Sequence, residues 1–145
     1  MIDREPEIRD TDASSSQDFG LESQIRFEDV TFRYPTAPEE VRAVLQRVSF
    51  SIEAGRTTAI VGASGCGKST IVQLIQRLYD PYEGSVLFDN HNIASIGLKT
   101  LRENIGYVSQ EPSLIIGSIR DNLKFGNQSA TEDDFWTALQ LANAA

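Results

Sequence analysis

The apolar positions of this chain first become regular at Ile25. Between residues 25 and 34, apolar and polar side chains alternate in the letters IRFEDVTFRY, and a similar alternation runs through residues 43–53. A period of two places every second side chain on the same face of an extended backbone. Both segments are therefore predicted to be β-strands with one buried face.

Two shorter apolar runs have the composition of strands that are covered on both faces. They are TTAIV at residues 57–61 and IGYVS at residues 105–109. Short apolar runs of this kind are typical of parallel strands in an α/β sheet. A further short strand is predicted at residues 85–89 (SVLFD), and a short helix at residues 98–104 (LKTLREN).

Helical periodicity appears in two longer segments, residues 68–80 and residues 131–145. The first has apolar side chains at the i, i+3, i+4 and i+7 positions of one helix face, namely Ile71, Leu74, Ile75 and Leu78. The second begins at Thr131, a good N-cap residue, ahead of three acids that suit the positive end of a helix dipole. Another short helix is predicted around residues 119–123.

Composition and charge narrow the class of protein. Apolar residues make up 40% of the 145 positions and charged residues 23%, the proportions of a soluble globular protein. The single Cys66 excludes an internal disulfide and fits a reducing compartment. The net charge of −8 is confined to residues 1–24 and 127–145, because residues 25–126 carry 11 acids and 11 bases. No basic stripe is present, which argues against nucleic acid as a partner.

Residues 1–24 are predicted to be a flexible acidic linker. This segment has seven acids against two bases and contains the polar run TDASSSQDFG. It has too little apolar surface to offset the entropy lost on ordering. The folded domain is therefore expected to occupy residues 25–145.

The letters VGASGCGKST, at residues 61–70, point most directly to chemistry. They match the pattern G-x-x-x-x-G-K-[ST], between a predicted strand and a predicted helix as that motif requires. The glycines let backbone N–H groups converge on a phosphate, Lys68 supplies a cation, and Ser69 supplies a hydroxyl for Mg²⁺. The helix dipole favours the same anion. The predicted phosphate site consists of Gly62, Ala63, Ser64, Gly65, Cys66, Gly67, Lys68, Ser69 and Thr70.

The motif alone does not choose among kinases, GTPases, helicases and transporters, but its surroundings narrow the choice. The chain resembles the nucleotide-binding domain of ATP-binding cassette (ABC) exporters of the P-glycoprotein-like, multidrug-resistance type. The resemblance is carried by IRFEDVTFRYP, by the segment from Val44 to Asp89, and by IGYVSQEP and GSIRDNLKFGN. Even IDREPEI is similar to the segment that follows the last transmembrane helix in that family.

The resemblance implies an α/β fold of the P-loop NTPase type. Its core would be a mainly parallel sheet with helices, joined to an antiparallel β subdomain. Residues 25–145 would form a partial domain. It would run from before the Walker A loop (residues 62–69) to just past the Q-loop, which IGYVSQEP with Gln110 resembles, and would be truncated within the helical subdomain. Residues 1–24 would be the linker that follows a transmembrane domain.

Two residues outside the loop gain a predicted role from the resemblance. Tyr34 would stack on adenine, and its ring offers a π-face for a purine in any case; the alternative is an aromatic side chain packed at a strand end. Gln110 would lie near Mg²⁺ and the attacking water, whereas without the resemblance it would be interpreted as a loop cap. The implied cofactors are ATP and Mg²⁺, with Ser69 and Gln110 at the metal.

The resemblance also implies partners and a location. They are ATP, a transmembrane domain of the same or another polypeptide, and a second nucleotide-binding domain in a head-to-tail dimer, at the cytoplasmic face of a membrane. In the family, ATP binding and hydrolysis drive export. The sequence leaves open which substrate is exported, across which membrane, and by a half or a full transporter. It also leaves open whether the chain is a natural gene product or a fragment, and whether it folds alone.

Several parts that the family uses for hydrolysis do not occur in these residues. The LSGGQ signature, a Walker B strand ending in Asp-Glu, the D-loop and the switch histidine are all missing. His91, the single histidine, is interpreted as an exposed loop residue. The chain alone is therefore expected to bind Mg·ATP without efficient hydrolysis, and the sequence leaves open whether it is an enzyme.

Two alternatives are kept. One is a self-contained small P-loop kinase that uses Asp89 or Glu111, since SVLFD imitates a Walker B strand; no Arg-rich lid accompanies it. The other is a non-catalytic truncated fragment.

Overall fold

A computed structural model describes residues 8, 24–38, 40–111, 113–127 and 129–144. They form two compact units, one up to Ile105 and the other from Gly106 onward. The predicted acidic linker, apart from Ile8 and Gln24, lies outside the described residues.

The first unit is built on a four-stranded sheet in the order β2-β1-β3-β4. Its strands are β1 (Ile25–Phe32), β2 (Leu45–Ile52), β3 (Glu83–Phe88) and β4 (His91–Asn92). Every neighbouring pair is antiparallel, with β1 between β2 and β3. Strands β1 and β2 confirm the two strands predicted from alternation, and β3 confirms the short strand predicted at residues 85–89. The sheet supplies the antiparallel β part of the α/β fold.

The alternation in β1 changes phase at a bulge. Phe27 and Val30 are both buried, although residues three apart face opposite sides of a regular strand. Asp29 has a positive φ of 46°, and the register with β2 shifts between Phe27 and Val30. The extra residue turns Val30 to the same side as Phe27. For this reason, both alternating sets in IRFEDVTFRY contribute to the core.

Two α-helices of the first unit, α1 (Lys68–Ile75) and α2 (Leu98–Glu103), contribute to one core with the sheet. A short 3₁₀ turn at Ile93–Ser95 precedes α2. The buried core residues are Phe27, Val30, Phe32, Leu45, Ile71, Leu74, Val86, Phe88, Ile93, Ile96 and Leu101. Because Ile71 and Leu74 lie in this cluster, the position of α1 is fixed by the same apolar contacts that hold the sheet.

Helix α1 is shorter than predicted. Its last residue is Ile75, and Arg77 has a left-handed φ of 50°. Leu78, predicted on the apolar helix face, lies beyond the helix and is 46% exposed. The guanidinium of Arg102 donates to the carbonyls of Gln76 (3.3 Å) and Arg77 (3.1 Å), so acceptors at the end of α1 have partners without a further helical turn.

The prediction of parallel strands at residues 57–61 and 105–109 is wrong for this structure. Within the described part of the chain, neither segment pairs with a strand. Val61 and Val108 are each 90% exposed. A parallel strand needs hydrogen-bonding neighbours and covered faces, and the described residues supply neither for these segments.

The second unit contains α3 (Ile119–Lys124) and α4 (Glu132–Leu141). Each begins with a capping box, in which the N-cap hydroxyl accepts an N–H from the third helical residue and that residue's carboxylate accepts the N-cap N–H. The pairs are Ser118 with Asp121 and Thr131 with Asp134. The predicted cap at Thr131 is confirmed, while α4 ends at Leu141 and does not continue to residue 145.

One cation–aromatic contact and one ion pair connect α3 and α4. The amine of Lys124 lies 5.9 Å from the ring centroid of Phe135, which is buried. Arg120 forms an ion pair with Glu132. None of the helices in the described parts of either unit has the length and hydropathy of a membrane span.

Candidate functional site

The predicted phosphate loop leads directly into α1. The N-cap of this helix is Gly67, with a φ of 98°, and a Cβ at this position would lie 2.7 Å from Cδ2 of Leu45. Only glycine combines this conformation with so close an approach to β2. The helix therefore begins at Lys68, and the N–H groups of its first turn have no acceptor within the helix. They carry the partial positive charge that favours an anion.

The amine of Lys68 lies over the loop. It donates to the carbonyl of Gly62 at 2.9 Å and to that of Ala63 at 2.7 Å, and it is 3.7 Å from the Cys66 sulfur. Ser69 beside it is exposed. A cation, a hydroxyl and a helix N-terminus thus come together, a set of donors suited to a phosphate chain.

Tyr34 contacts α1, although it lies 36 positions before Thr70. Its hydroxyl donates to Oε1 of Gln73 at 2.7 Å and is 2.9 Å from the Thr70 hydroxyl. Its ring meets those of Phe32 and Tyr79 edge to face, with centroids 5.0 and 5.3 Å away. The structure therefore brings together two residues predicted for the site, Tyr34 and Thr70. The stacking of Tyr34 on adenine stays a prediction.

The sequence analysis missed Gln73 and Tyr79. A signal for Gln73 was present, because it follows Thr70 by three positions and so shares its helix face. Tyr79 follows the end of α1, and its contact with Tyr34 depends on how the chain turns there. The contacts of both residues with Tyr34 are recognised only once the packing of α1 against β1 is known.

A cavity of about 530 Å³ opens beside Tyr34 in the first unit. Its walls combine aromatic side chains with one base and one acid, and they include Phe32, Arg33, Tyr34, Tyr79, Asp80 and Tyr82. The volume is within the range of small-molecule sites.

The predicted magnesium ligands lie in different units. Ser69 belongs to the first unit, while Gln110 belongs to the second and is exposed. The role predicted for Gln110 stays a prediction. Among the described residues, no group of three or more His, Cys, Asp or Glu side chains could hold a metal ion. The Ser69 hydroxyl suits Mg²⁺, which binds proteins through few ligands and takes the rest from phosphate oxygens and water.

Both residues considered as catalytic acids of a kinase accept hydrogen bonds from the chain, Asp89 at its carboxylate and Glu111 at its backbone carbonyl. The carboxylate of Asp89 accepts the N–H of Gln24 at 2.8 Å, in the turn between β3 and β4. The backbone carbonyl of Glu111 accepts the Ser109 hydroxyl at 2.7 Å. His91 is exposed as predicted, but it lies in β4 and not in a loop. Asp89 thus has a structural contact that fastens the start of β1 to the turn.

The loop, the helix that follows it and the antiparallel sheet define a nucleotide-binding domain with a Walker A site. The family model described as ABC transporter matches residues 45–145. The chain belongs to the ABC transporter family.

Named relatives agree with this assignment. The chain is 45% identical to multidrug resistance protein 4 of Entamoeba histolytica, over 99% of this chain and 11% of that protein. It is 46% identical to multidrug resistance protein homolog 65 of Drosophila melanogaster, over 87% of this chain and 10% of that protein. The chain therefore spans about a tenth of the length of these curated relatives.

A solved structure of a bacterial Atm1-family ABC exporter with ATP bound is also similar. It matches with a TM-score of 0.82 and 33% identity, over 94% of this chain and 24% of that one. The resemblance predicted from the sequence is confirmed: the fold is that of an ABC-exporter nucleotide-binding domain, α/β in class.

Proposed function

We propose that this chain binds Mg·ATP as the nucleotide-binding part of an ABC exporter. The observation that carries the proposal is the Lys68 ammonium, held within 2.9 Å of two loop carbonyls at the start of α1. The same amine can turn to the β- and γ-phosphates, with Ser69 on Mg²⁺ and the first-turn N–H groups of α1 on the phosphate oxygens.

The remaining roles are part of the same proposal. Tyr34 contacts the adenine, and Gln110 positions water and Mg²⁺. A transmembrane domain and a second nucleotide-binding domain are the partners. The work of the assembled protein is the export of a substrate, with this part at the cytoplasmic face of the membrane.

Binding without efficient turnover is proposed for these residues by themselves. Phosphoryl transfer requires a positioned water and a charge clamp besides a phosphate cradle. The 145 residues contain no LSGGQ signature and no strand ending in Asp-Glu. A self-contained kinase is the weaker candidate, because the carboxylate of Asp89 is engaged by Gln24.

We expect Lys68→Ala to raise the Kd for Mg·ATP at least about tenfold, because a charge-assisted hydrogen bond contributes roughly 1.5–3 kcal/mol. Titration calorimetry on the whole chain measures this change. The matched control is Lys99→Ala, which removes a lysine that is 83% exposed in α2 and should leave the Kd unchanged.

Phosphate release assays on the same proteins test the second half of the proposal. We expect the wild-type chain to release phosphate no faster than Lys68→Ala. Sustained release by the wild type alone would contradict binding without turnover. Equal Mg·ATP affinity in wild type and Lys68→Ala would contradict the site itself.

A further inference from the structure

The hydroxyl of Tyr34 connects the end of β1 to α1. It donates to Oε1 of Gln73 at 2.7 Å, a short distance for an O–H···O bond, and it lies 2.9 Å from the Thr70 hydroxyl. Thr70 is only 3% exposed. The bond to Gln73 is therefore partly shielded from water, which would otherwise compete for both groups.

Two rings hold the other end of the tyrosine. Phe32 and Tyr79 meet the Tyr34 ring at interplanar angles of 82° and 89°, the edge-to-face arrangement that aromatic pairs favour. With ring contacts at the base and a hydrogen bond at the tip, the two side-chain torsions of Tyr34 are both restrained. The orientation of the ring then depends on α1 as well as on β1.

We infer that Gln73 is a positioning residue for the base of the nucleotide. It holds the Tyr34 hydroxyl, and through it the plane of the ring, beside the helix that starts the phosphate loop. The inference rests on the proposed ATP-binding function and assigns to it a residue outside the Walker A motif. Gln73 is a better residue to substitute than Thr70. Thr70 belongs to the predicted phosphate site, so replacing it would also affect phosphate binding.

The test compares two ligands on the whole chain by titration calorimetry, Mg·ATP and magnesium-bound inorganic triphosphate, which has no base. Gln73→Leu removes the acceptor at similar size. We expect it to raise the Kd for Mg·ATP about threefold to tenfold, the range of one hydrogen bond, and to change the Kd for triphosphate less than about twofold. A general loss of helix structure would weaken both ligands equally.

Matched variants separate the hydrogen bond from the helix. Gln73→Glu keeps an oxygen acceptor and should restore most of the Mg·ATP affinity. Gln76→Leu makes the same replacement one turn later, where the side chain bonds only the Val72 carbonyl at 3.4 Å, and should bind like wild type. Thermal melts of all variants, followed by circular dichroism, report on folding.

Tyr34→Phe removes the same bond from the donor side and keeps the ring. It should weaken Mg·ATP at least as much as Gln73→Leu, because it also removes the contact with the Thr70 hydroxyl. Adding Gln73→Leu to Tyr34→Phe should cause no further loss, because the bond between the two residues is already absent. If Gln73→Leu does not fold, the Mg·ATP affinity of Tyr34→Phe tests the inference in its place.

The possible results distinguish a failure of the inference about Gln73 from a failure of the proposed ATP-binding function. Equal Mg·ATP affinity in wild type, Gln73→Leu and Tyr34→Phe would overturn the inference and leave the proposed function intact. Parallel weakening of Mg·ATP and triphosphate would overturn it as well. A wild-type chain that binds neither ligand would overturn the proposed function and this inference together.

Discussion

Among single residues, Gly84 marks a close approach between β3 and β1. Its φ is 81°, and a Cβ there would lie 2.3 Å from the carbonyl oxygen of Glu28 and 2.5 Å from the carbonyl carbon of Asp29. Both obstacles are backbone, at the bulge that turns Val30 into the core. No side chain can be accommodated without moving one strand away from the other.

We therefore expect Gly84→Ala to lower the free energy of unfolding by roughly 3 kcal/mol or more, because backbone strain and overpacking add together. The matched control is Gly55→Ala, where φ is 67° but nothing lies within 4 Å of the added Cβ. Its cost should be about 1–2 kcal/mol, that of the left-handed conformation alone. Urea unfolding measures both, and equal losses would contradict a steric contribution at Gly84.

At the same scale, the sequence predicted the loop residues and Tyr34 but missed Gln73. Loop residues are contiguous and follow a known spacing, so one window of sequence contains them all. The bond from Tyr34 to Gln73 spans 39 positions. It depends on how α1 packs on the sheet, which no local pattern specifies.

Among the elements, the end of α1 depends on α2. The guanidinium of Arg102 donates to the carbonyls of Gln76 and Arg77, where the helix has no further N–H donors of its own. Arg77, which is 4% exposed, in turn donates to Asp80 at 3.1 Å and to the carbonyl of Ile96 at 3.2 Å. The helix that carries Lys68 is thus held at its far end by polar contacts from other segments.

Arg102→Met keeps a long side chain and removes the donors. We expect the free energy of unfolding to fall by about 1–2 kcal/mol, since two carbonyls lose a protein donor. Lys99→Met on the same helix is the control; its exposed pair with Glu103, at 3.8 Å, should be worth less than about 0.5 kcal/mol. A loss at Arg102 no larger than at Lys99 in urea unfolding would rule out the capping role.

The capping boxes of α3 and α4 make the second unit sensitive to acid. Hydrogen bonds from the Ser118 hydroxyl and then its N–H lower the pKa of Asp121, and hydrogen bonds from the Thr131 N–H and then its hydroxyl lower the pKa of Asp134. A carboxylate with a lowered pKa in the folded state stabilises that state above its ordinary pKa of about 4. The stabilisation disappears as pH falls through the lowered value.

We therefore expect helix content to decrease on acidification below about pH 4, as Asp121 and Asp134 are protonated. Circular dichroism follows both helices, and the fluorescence of Trp136, the single tryptophan, follows α4. Replacing both acids with asparagine should flatten this part of the titration. Asp133→Asn, in the first turn of α4 but outside the capping box, should leave it in place; an unchanged profile in the double variant would refute the assignment.

Element prediction succeeded where the stabilising contacts are local and failed where they are not. The cap at Thr131 is specified within four residues, and the alternation of β1 and β2 reflects contacts between the strands themselves. The segments at 57–61 and 105–109 have strand-like sequences, but a strand also needs neighbours with free backbone groups. The composition of a segment indicates its preference for the strand conformation, but it does not indicate whether a neighbouring strand is there to pair with it.

For the whole molecule, family and fold class were accessible from sequence because the resemblance extends over nearly all of it. The matched relatives cover 99% and 87% of the chain, and the solved exporter covers 94%. A single motif of eight residues would have left several classes of P-loop protein open. Agreement over both units is what selects one family.

The Lys68 side chain has one more consequence, for the thermodynamics of ligand capture. Its ammonium already has two carbonyl acceptors, at 2.9 and 2.7 Å. If the proposed ATP site is correct, an arriving triphosphate would meet a cation that has already lost much of its torsional freedom, and that entropy would not be lost a second time on association. In the proposed site, binding at this amine would exchange internal acceptors for phosphate oxygens, so its enthalpy would report the difference between two sets of hydrogen bonds.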